Sequence, residues 1–217
     1  MKDLNLYLIR HGQTEWNLKD QMQGSKNSAL TEDGVLGAKI TGQYLKDTPF
    51  IAAYSSPQQR AVETRDYILA QRQDSLPTHT LDGLREMDFG IWEGQHVPEL
   101  RKLPEFNLYM NEPAKFDAST NQGENYLEVL ARMKNSLEHI VQNAPQDNGN
   151  ILIVSHGTAI RLLLCVLNGG DWHLHRDESY FPRILNTSIS QIHYQGDAKQ
   201  GHFRVKNFNN VDHLNKA

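Results

Sequence analysis

Leu4-Asn5-Leu6-Tyr7-Leu8-Ile9-Arg10-His11-Gly12 begins as a strand and ends as a turn. Leu4 to Ile9 is nearly all apolar, as in a strand covered on both faces. Ile51 to Tyr54 and Ile151 to Val154 have the same character, and Thr78 to Leu81 is a weaker relative. Ser188 to Tyr194 alternates apolar and polar residues, and Phe203 to Phe208 does so loosely. Helical patterns fill the gaps. Thr31 precedes Glu32-Asp33-Gly34 as an N-cap, with Val35, Ile40 and Leu45 as apolar positions. Arg60 to Ala70 is a second helix. A third runs from Glu124 to Val141, with Leu127, Leu130, Met133, Leu137, Ile140 and Val141 as its apolar stripe. Thr158 to Leu167 is apolar almost all round, which predicts a buried helix. Strands alternating with helices predict an α/β fold with a mainly parallel central sheet.

The stretch from Gln95 to Gln122 breaks this rhythm. It contains Pro98, Pro104 and Pro113. Leu100, Leu103, Phe106, Leu108 and Tyr109 give it the means to pack, so it reads as an insertion over one end of the sheet rather than a linker. The 217 residues fit one domain on the usual scale of about 100–200 residues. No repeat or low-complexity tract divides them.

Composition excludes several classes. The net charge of -4 offers no overall footprint for nucleic acid or a membrane surface. Mean hydropathy is -0.61. The longest candidate apolar run, Leu162 to Leu167, falls far short of the ~18 residues a spanning helix needs. The N-terminus lacks a signal pattern and Cys165 is the lone cysteine, so the expected compartment is the cytoplasm. No pattern announces an oligomer. Ten histidines are the one unusual count.

In such folds ligands bind beyond the carboxyl ends of the strands. Arg10-His11-Gly12-Gln13-Thr14-Glu15-Trp16-Asn17 follows the first strand, and Ser55-Ser56-Pro57-Gln58-Gln59-Arg60 the second. Leu84-Arg85-Glu86 follows the weak strand, and Ser155-His156-Gly157 follows Ile151 to Val154. Arg10, His11, Arg60, Glu86 and His156 should therefore meet at one rim.

These ordered motifs resemble the histidine phosphatase superfamily, of the phosphoglycerate mutase type. The match is carried by Arg10-His11-Gly12 with Thr14, Trp16 and Asn17; by Arg60, Ala61 and Thr64; by Arg85-Glu86 with Gly90 and Trp92-Glu93-Gly94; by Gly123-Glu124; and by Ser155-His156-Gly157. It runs from Leu4 to about Leu214. The resemblance implies a three-layer sandwich with a small helical cap formed by the insertion.

The chemistry explains the residue types. A phosphomonoester is dianionic near neutral pH and suits guanidinium groups, here Arg10 and Arg60. Asn17 can donate an amide hydrogen bond to the same oxygens. The helix after Gly157 can aim N–H groups at the phosphate. His11 is the candidate nucleophile, and one ring nitrogen must be anchored, for instance on a backbone carbonyl, to leave the other free. His156 would donate a hydrogen bond as charge spreads over the phosphoryl group. Glu86 is the candidate general acid and later base. The resemblance implies the same roles and adds Gln23 and Gly24 near the substrate. With the cations fixed, no metal or other cofactor is required.

Each residue has a plainer reading. Arg-His-Gly after a strand is often only a turn, and Arg60 alone would be a solvated side chain in a helix's first turn. A cation there opposes the helix dipole, which marks it as unusual. Asp88 and Glu93 compete with Glu86 for the acid role. His173 and His175 form a possible metal half-site without familiar accompanying ligands. Cys165 among leucines reads as an inert buried thiol. Trp92 either lines the site or packs under the insertion.

Three functions fit: hydrolysis of small phosphate esters, phosphoryl transfer as in a phosphoglycerate mutase, or a catalytically silent metabolite binder. The complete His11, Glu86 and His156 set disfavours the last. True mutases of the family carry an Arg-rich segment after the acid. Met87-Asp88-Phe89-Gly90-Ile91-Trp92-Glu93-Gly94 has two carboxylates instead, which favours the phosphatase branch. Asn27 and Ala29 stand where many members have Asp and Pro. Arg101, Lys102 and Lys115 of the insertion are candidates to read a second anionic group.

Overall fold

The structure, a computed structural model, describes residues 1–197 and 200–216. Six strands form one sheet: β1 (Lys2–Arg10), β2 (Phe50–Ser55), β3 (Thr78–Thr80), β4 (Asn148–Ser155), β5 (Ile189–Gly196) and β6 (Gly201–Asn210). Their order is β3-β2-β4-β1-β5-β6. The first four in that order run parallel, while β5 and β6 join antiparallel at the far side.

Side chains alternate across the interior strands, as the two-residue period requires. Leu4, Leu6 and Leu8 of β1, with Ile151 and Ile153 of β4, face one layer. It is formed by α6 (Tyr126–Gln142) and α7 (Gly157–Leu167). Ile9, Leu152 and Val154 face the other layer, formed by α2 (Glu32–Leu45) and α3 (Gln59–Leu69). This is the three-layer α/β architecture. A single turn, α1 (Glu15–Leu18), follows β1, and Thr31 caps α2, accepting from the Gly34 N–H at 3.0 Å.

Two helical expectations are corrected. α6 starts at Tyr126, not Glu124, because Asn125 and Glu128 close a capping box there. That phase turns Leu127 outward (53% exposed) and buries Tyr126 and Val129 in its place. Within the insertion lie α4 (Val97–Leu100) and α5 (Pro104–Asn111), then short 3-10 turns at Pro113–Lys115 and Ala118–Thr120. Its prolines mark starts rather than breaks, since an N–H in the first turn has no intrahelical bond to lose. Leu100, Phe106 and Tyr109 pack inward, whereas Leu103 is exposed. Trp92 is buried against Phe106, Tyr109 and Phe116, so it packs under the insertion. Among the described residues no helix is long and apolar enough to cross a membrane.

Strand register positions the site. Arg10 lies opposite Ser155, and Ser55 opposite Val154. The parallel strands β1, β2 and β4 therefore end together, and their C-terminal loops emerge side by side. The His11 N–H donates to the Ser155 carbonyl at 3.0 Å, one residue before His156.

Candidate active site

His11 is buried and anchored at this edge. It is 3% exposed, and its Nδ1 lies 2.7 Å from the Gly12 carbonyl. A carbonyl only accepts, so Nδ1 carries the proton and Nε2 keeps its lone pair. The Arg60 Nε–H donates toward that Nε2 at 3.3 Å. The Gly12 N–H is held by Thr64 Oγ1 at 2.9 Å. Gly12 also needs to be glycine, because a Cβ would sit 2.5 Å from the Gly34 carbonyl oxygen of α2.

His156, the N-cap of α7, lies beside it with ring centroids 5.1 Å apart. It is fully buried, and neither ring nitrogen has a hydrogen-bond partner. A buried polar group left so costs roughly 1–3 kcal/mol, which marks it as kept for a ligand. Burial first, then the Arg60 and other cations, pushes the pKa of both histidines well below the ordinary value. Both imidazoles are therefore neutral at pH 7, the form a nucleophile needs.

Arg10 is 8% exposed, donates Nη1 to the Ile184 carbonyl at 2.7 Å, and has no partner at Nε. It packs on Gly157, where a Cβ would come within 3.2 Å of its Nε. Burial, followed by the neighbouring Arg183 charge, lowers Arg10 to about 10, and burial lowers Arg60 to about 10. Both stay charged at neutral pH.

Arg60 is not the free fork the sequence suggested. Its Nη1 donates to the Lys26 carbonyl and Asn27 Oδ1, and its Nη2 to the Gly24 carbonyl at 2.7 Å. These acceptors compensate a cation in the first turn of α3 and leave Nε for the reaction side. Gly24 thus positions Arg60, and Asn27, the departure from the family pattern, falls directly on Arg60. The Asn17 Oδ1 accepts from the Thr14 N–H and from Asn186 Nδ2. The Gln23 amide is engaged at both ends, with Thr14 and Ser28.

Of the three rival carboxylates, Glu86 is the one that lines the cavity beside Arg10. Its Oε1 accepts from the Met87 and Ala159 N–H groups, and its Oε2 from Thr158, at 2.9–3.0 Å. The helix N–H groups of α7 expected to meet phosphate at Thr158 and Ala159 are therefore taken by Glu86, because the carboxylate reaches them first. Glu93 is buried and accepts from the Ser25, Lys26 and Phe89 N–H groups. It shapes the loop that holds Arg60. Asp88 accepts from the Gly90 N–H and lines a second depression, which Glu86 and Glu124 also border.

A cavity of about 290 Å³ opens here, lined by Arg10, Asn17, Gln23, Glu86 and Gly157 among the expected residues. His11, Gly24, Arg60 and His156 are buried beside it.

Sequence reasoning missed the segment that clamps this loop. Asn186 Nδ2 donates to the His11 carbonyl at 2.9 Å, and the Thr187 N–H to the Arg10 carbonyl at 3.0 Å. Thr187 sits at φ 54, a costly conformation for a β-branched residue. Only an Asn-Thr turn before a strand hints at it in sequence. Gln58 was also missed: it donates to the Gly24 carbonyl and accepts from the Glu86 N–H, tying the two loops together.

Among the other expectations, His173 pairs with Asp171, and His175 is buried on the Trp172 carbonyl and the Tyr126 ring. Among the described residues no three His, Cys, Asp or Glu groups cluster as a metal site. Cys165 is buried, and burial raises its thiol to about 11. Lys102 pairs with Glu99 and Lys115 with Glu112 on the outside, while Arg101 lines the cavity.

Residues 6–210 match the histidine phosphatase superfamily (branch 1). The chain belongs to that superfamily. Within it, the chain is 32% identical over 207 residues to the uncharacterised phosphatase PhoE of Bacillus subtilis strain 168, covering 95% of each protein. It is 36% identical over 173 residues to a 2,3-bisphosphoglycerate-dependent phosphoglycerate mutase of Bradyrhizobium diazoefficiens, covering 77% of this chain and 82% of that one. Among solved structures, Bacillus stearothermophilus YhfR superposes with a TM-score of 0.87 at 29% identity, covering 97% of this chain and 99% of the other.

The buried histidines make stability pH-dependent. Unfolded, each takes a proton near its ordinary value of about 6.5. Folded, His11 and His156 take one well below that, and His175 at about 3. The unfolded chain then binds more protons below about pH 6.5, so stability falls as pH drops from there. The slope approaches about 1.4 kcal/mol per pH unit for each histidine. Urea unfolding midpoints between pH 7.5 and 5 should decline accordingly; a flat profile would contradict neutral burial.

Proposed function

We propose that this chain, folded as one domain, hydrolyses small phosphate monoesters through a phosphohistidine on His11. The observation that carries the reading is the His11 Nδ1 contact with the Gly12 carbonyl, which leaves a neutral Nε2 lone pair beside Arg60. Nε2 attacks phosphorus while the P–O bond to the leaving group breaks. Arg10, Asn17, Gly157 and the Nε of Arg60 bind the phosphoryl oxygens, and Arg60 exchanges its contact with Nε2 for one to phosphate. Gln23 and Gly24 complete the cradle by holding its walls. His156 donates to an equatorial oxygen as charge spreads.

Glu86 gives its proton to the departing oxygen. It then takes one from the water that attacks phosphorus and breaks the P–N bond. Its Oε1 already accepts two N–H groups and its Oε2 one, so the transferable proton belongs on Oε2. Guanidinium groups supply the positive charge in this cradle. The lone buried Cys165 supports the cytoplasm as its compartment.

The test is turnover of 4-nitrophenyl phosphate with and without a chelator, with a base-stable, acid-labile phosphoryl group trapped on the chain by rapid quench. Turnover that survives the chelator is expected; a strict divalent-metal requirement would overturn the mechanism. Adding 3-phosphoglycerate with bisphosphoglycerate separates hydrolysis from mutase transfer, since only hydrolysis accumulates inorganic phosphate.

A further inference from the structure

The arginines of this chain divide by partner. Of eleven, five pair with carboxylates: Arg65, Arg72, Arg85, Arg132 and Arg161. Among the described residues the other six have no carboxylate at ion-pair distance. Four of those six, Arg10, Arg101, Arg176 and Arg183, line the cavity of about 290 Å³ that Glu86 also lines. Arg60 touches His11, and Arg204 alone lies elsewhere, on β6. A chain with more carboxylates than cations has thus concentrated its uncompensated guanidinium groups around one cavity. Arg10 and Arg60 are buried and Arg176 is half-buried; an unpaired charge held away from water is expensive, so the arrangement points to an anion that arrives from outside.

Arg10 and Arg60 are accounted for by the phosphoryl group. Arg176 is not. It stacks on the Tyr109 ring at 4.0 Å, and its Nε donates to the Tyr126 hydroxyl at 2.9 Å, with a further contact to the Tyr109 hydroxyl. Burial raises the pKa of both phenols, so they stay neutral. They fix the guanidinium in place without cancelling its charge. Arg183 is exposed at the mouth and close enough to Arg10 to perturb it. Of the carboxylates on the cavity, Glu178 is committed to Arg161 and Glu86 to the N–H groups of α7, which leaves Asp20 at the rim. Phe89, Phe106 and Met22 add apolar lining to the same cavity.

We infer that Arg176, with Arg183 and Arg101 at the mouth, forms a second anion subsite, and that the preferred substrate is a small phosphomonoester bearing a carboxylate or second phosphate on its leaving group. This rests on the phosphomonoesterase reading above. The sequence places no arginines just after Glu86. In the fold the cations come instead from the segment between α7 and β5, which carries Arg176 and Arg183, and from Arg101 at the end of α4.

The experiment compares three-carbon esters that differ at the tail: glycerol 3-phosphate (hydroxyl), 3-phosphoglycerate (carboxylate) and glycerol 1,3-bisphosphate (phosphate). At least one anionic tail should raise kcat/KM over the hydroxyl by about tenfold or more, as a charge-assisted contact allows. The better of the two identifies the anion. The preference should shrink in 0.5 M salt, and Arg176→Met and Arg183→Met should each reduce it several-fold. Arg183 is exposed, so its variant keeps the test open if the Arg176 variant misfolds. Equal kcat/KM for all three tails, or a preference unmoved by Arg183→Met and by folded Arg176→Met, would overturn the subsite.

Calorimetric binding to the His11→Ala protein provides a readout free of turnover: 3-phosphoglycerate or the bisphosphate should bind more tightly than glycerol 3-phosphate, and equal affinities would sink the idea. Loss of 4-nitrophenyl phosphate turnover in the wild type would instead overturn the hydrolase reading, leaving the binding comparison to decide the subsite.

Discussion

Replacing His11 with alanine should lower turnover of 4-nitrophenyl phosphate by at least about 10⁴-fold, because a removed nucleophile cannot be replaced by its neighbours. Among the described residues His156 is the imidazole in ring contact with His11, with centroids 5.1 Å apart. Its ring lacks the anchor that sets the His11 tautomer; no carbonyl holds either nitrogen. The substitution also removes the acceptor of the Arg60 Nε–H, but the other Arg60 contacts to Gly24, Lys26 and Asn27 remain. The cradle should therefore persist, and the variant should still bind vanadate or phosphate. Retained turnover would remove His11 from the mechanism. Lost turnover with lost anion binding would show that the cradle had collapsed, and His11→Gln would then be the cleaner variant.

The sheet was legible because its interior strands are apolar on both faces, and that pattern depends on burial alone. Leu4 to Ile9 and Ile151 to Val154 carried it, and the loops at their C-terminal ends meet because parallel strands in register end together. The N-cap at Thr31 was legible for a local reason, a side chain bonding three residues ahead. Features that depend on distant partners were not. Leu127 fits a helical stripe, but the capping box at Asn125 sets the helix phase. Arg60 looked like a free phosphate fork, because the carbonyls of Gly24 and Lys26 that occupy it come from a loop more than thirty residues earlier.

The clamp at Asn186 and Thr187 was the least legible part of the site. Its information lies in a left-handed threonine and in bonds across 175 residues. Glu86 was found by its motif, but its second task, closing the N-terminus of α7, is a contact across 73 residues that no local pattern reports.

That second task sharpens what Glu86→Gln should do. If the new amide keeps its carbonyl oxygen at the Oε1 position, it still accepts from Met87 and Ala159, but its NH₂ group then meets the Thr158 N–H donor to donor. One hydrogen bond is lost, so α7 loosens and every substrate suffers to some extent, by an amount of about 1–3 kcal/mol in stability. The missing proton acts differently, because its cost depends on the leaving group. An alkoxide is a poor leaving group and needs protonation as the P–O bond breaks; a nitrophenolate does not. Loss of kcat/KM should therefore reach about 10²–10⁴-fold for an alkyl phosphate and stay far smaller for 4-nitrophenyl phosphate. The leaving-group ratio cancels the common structural cost. Asp88 and Glu93 cannot restore it, since Glu93 is spent on the Ser25, Lys26 and Phe89 N–H groups, and Asp88 caps the Gly90 N–H and does not line the cavity that holds Arg10. Equal losses for the two esters would reduce Glu86 to a helix cap and require a different proton donor.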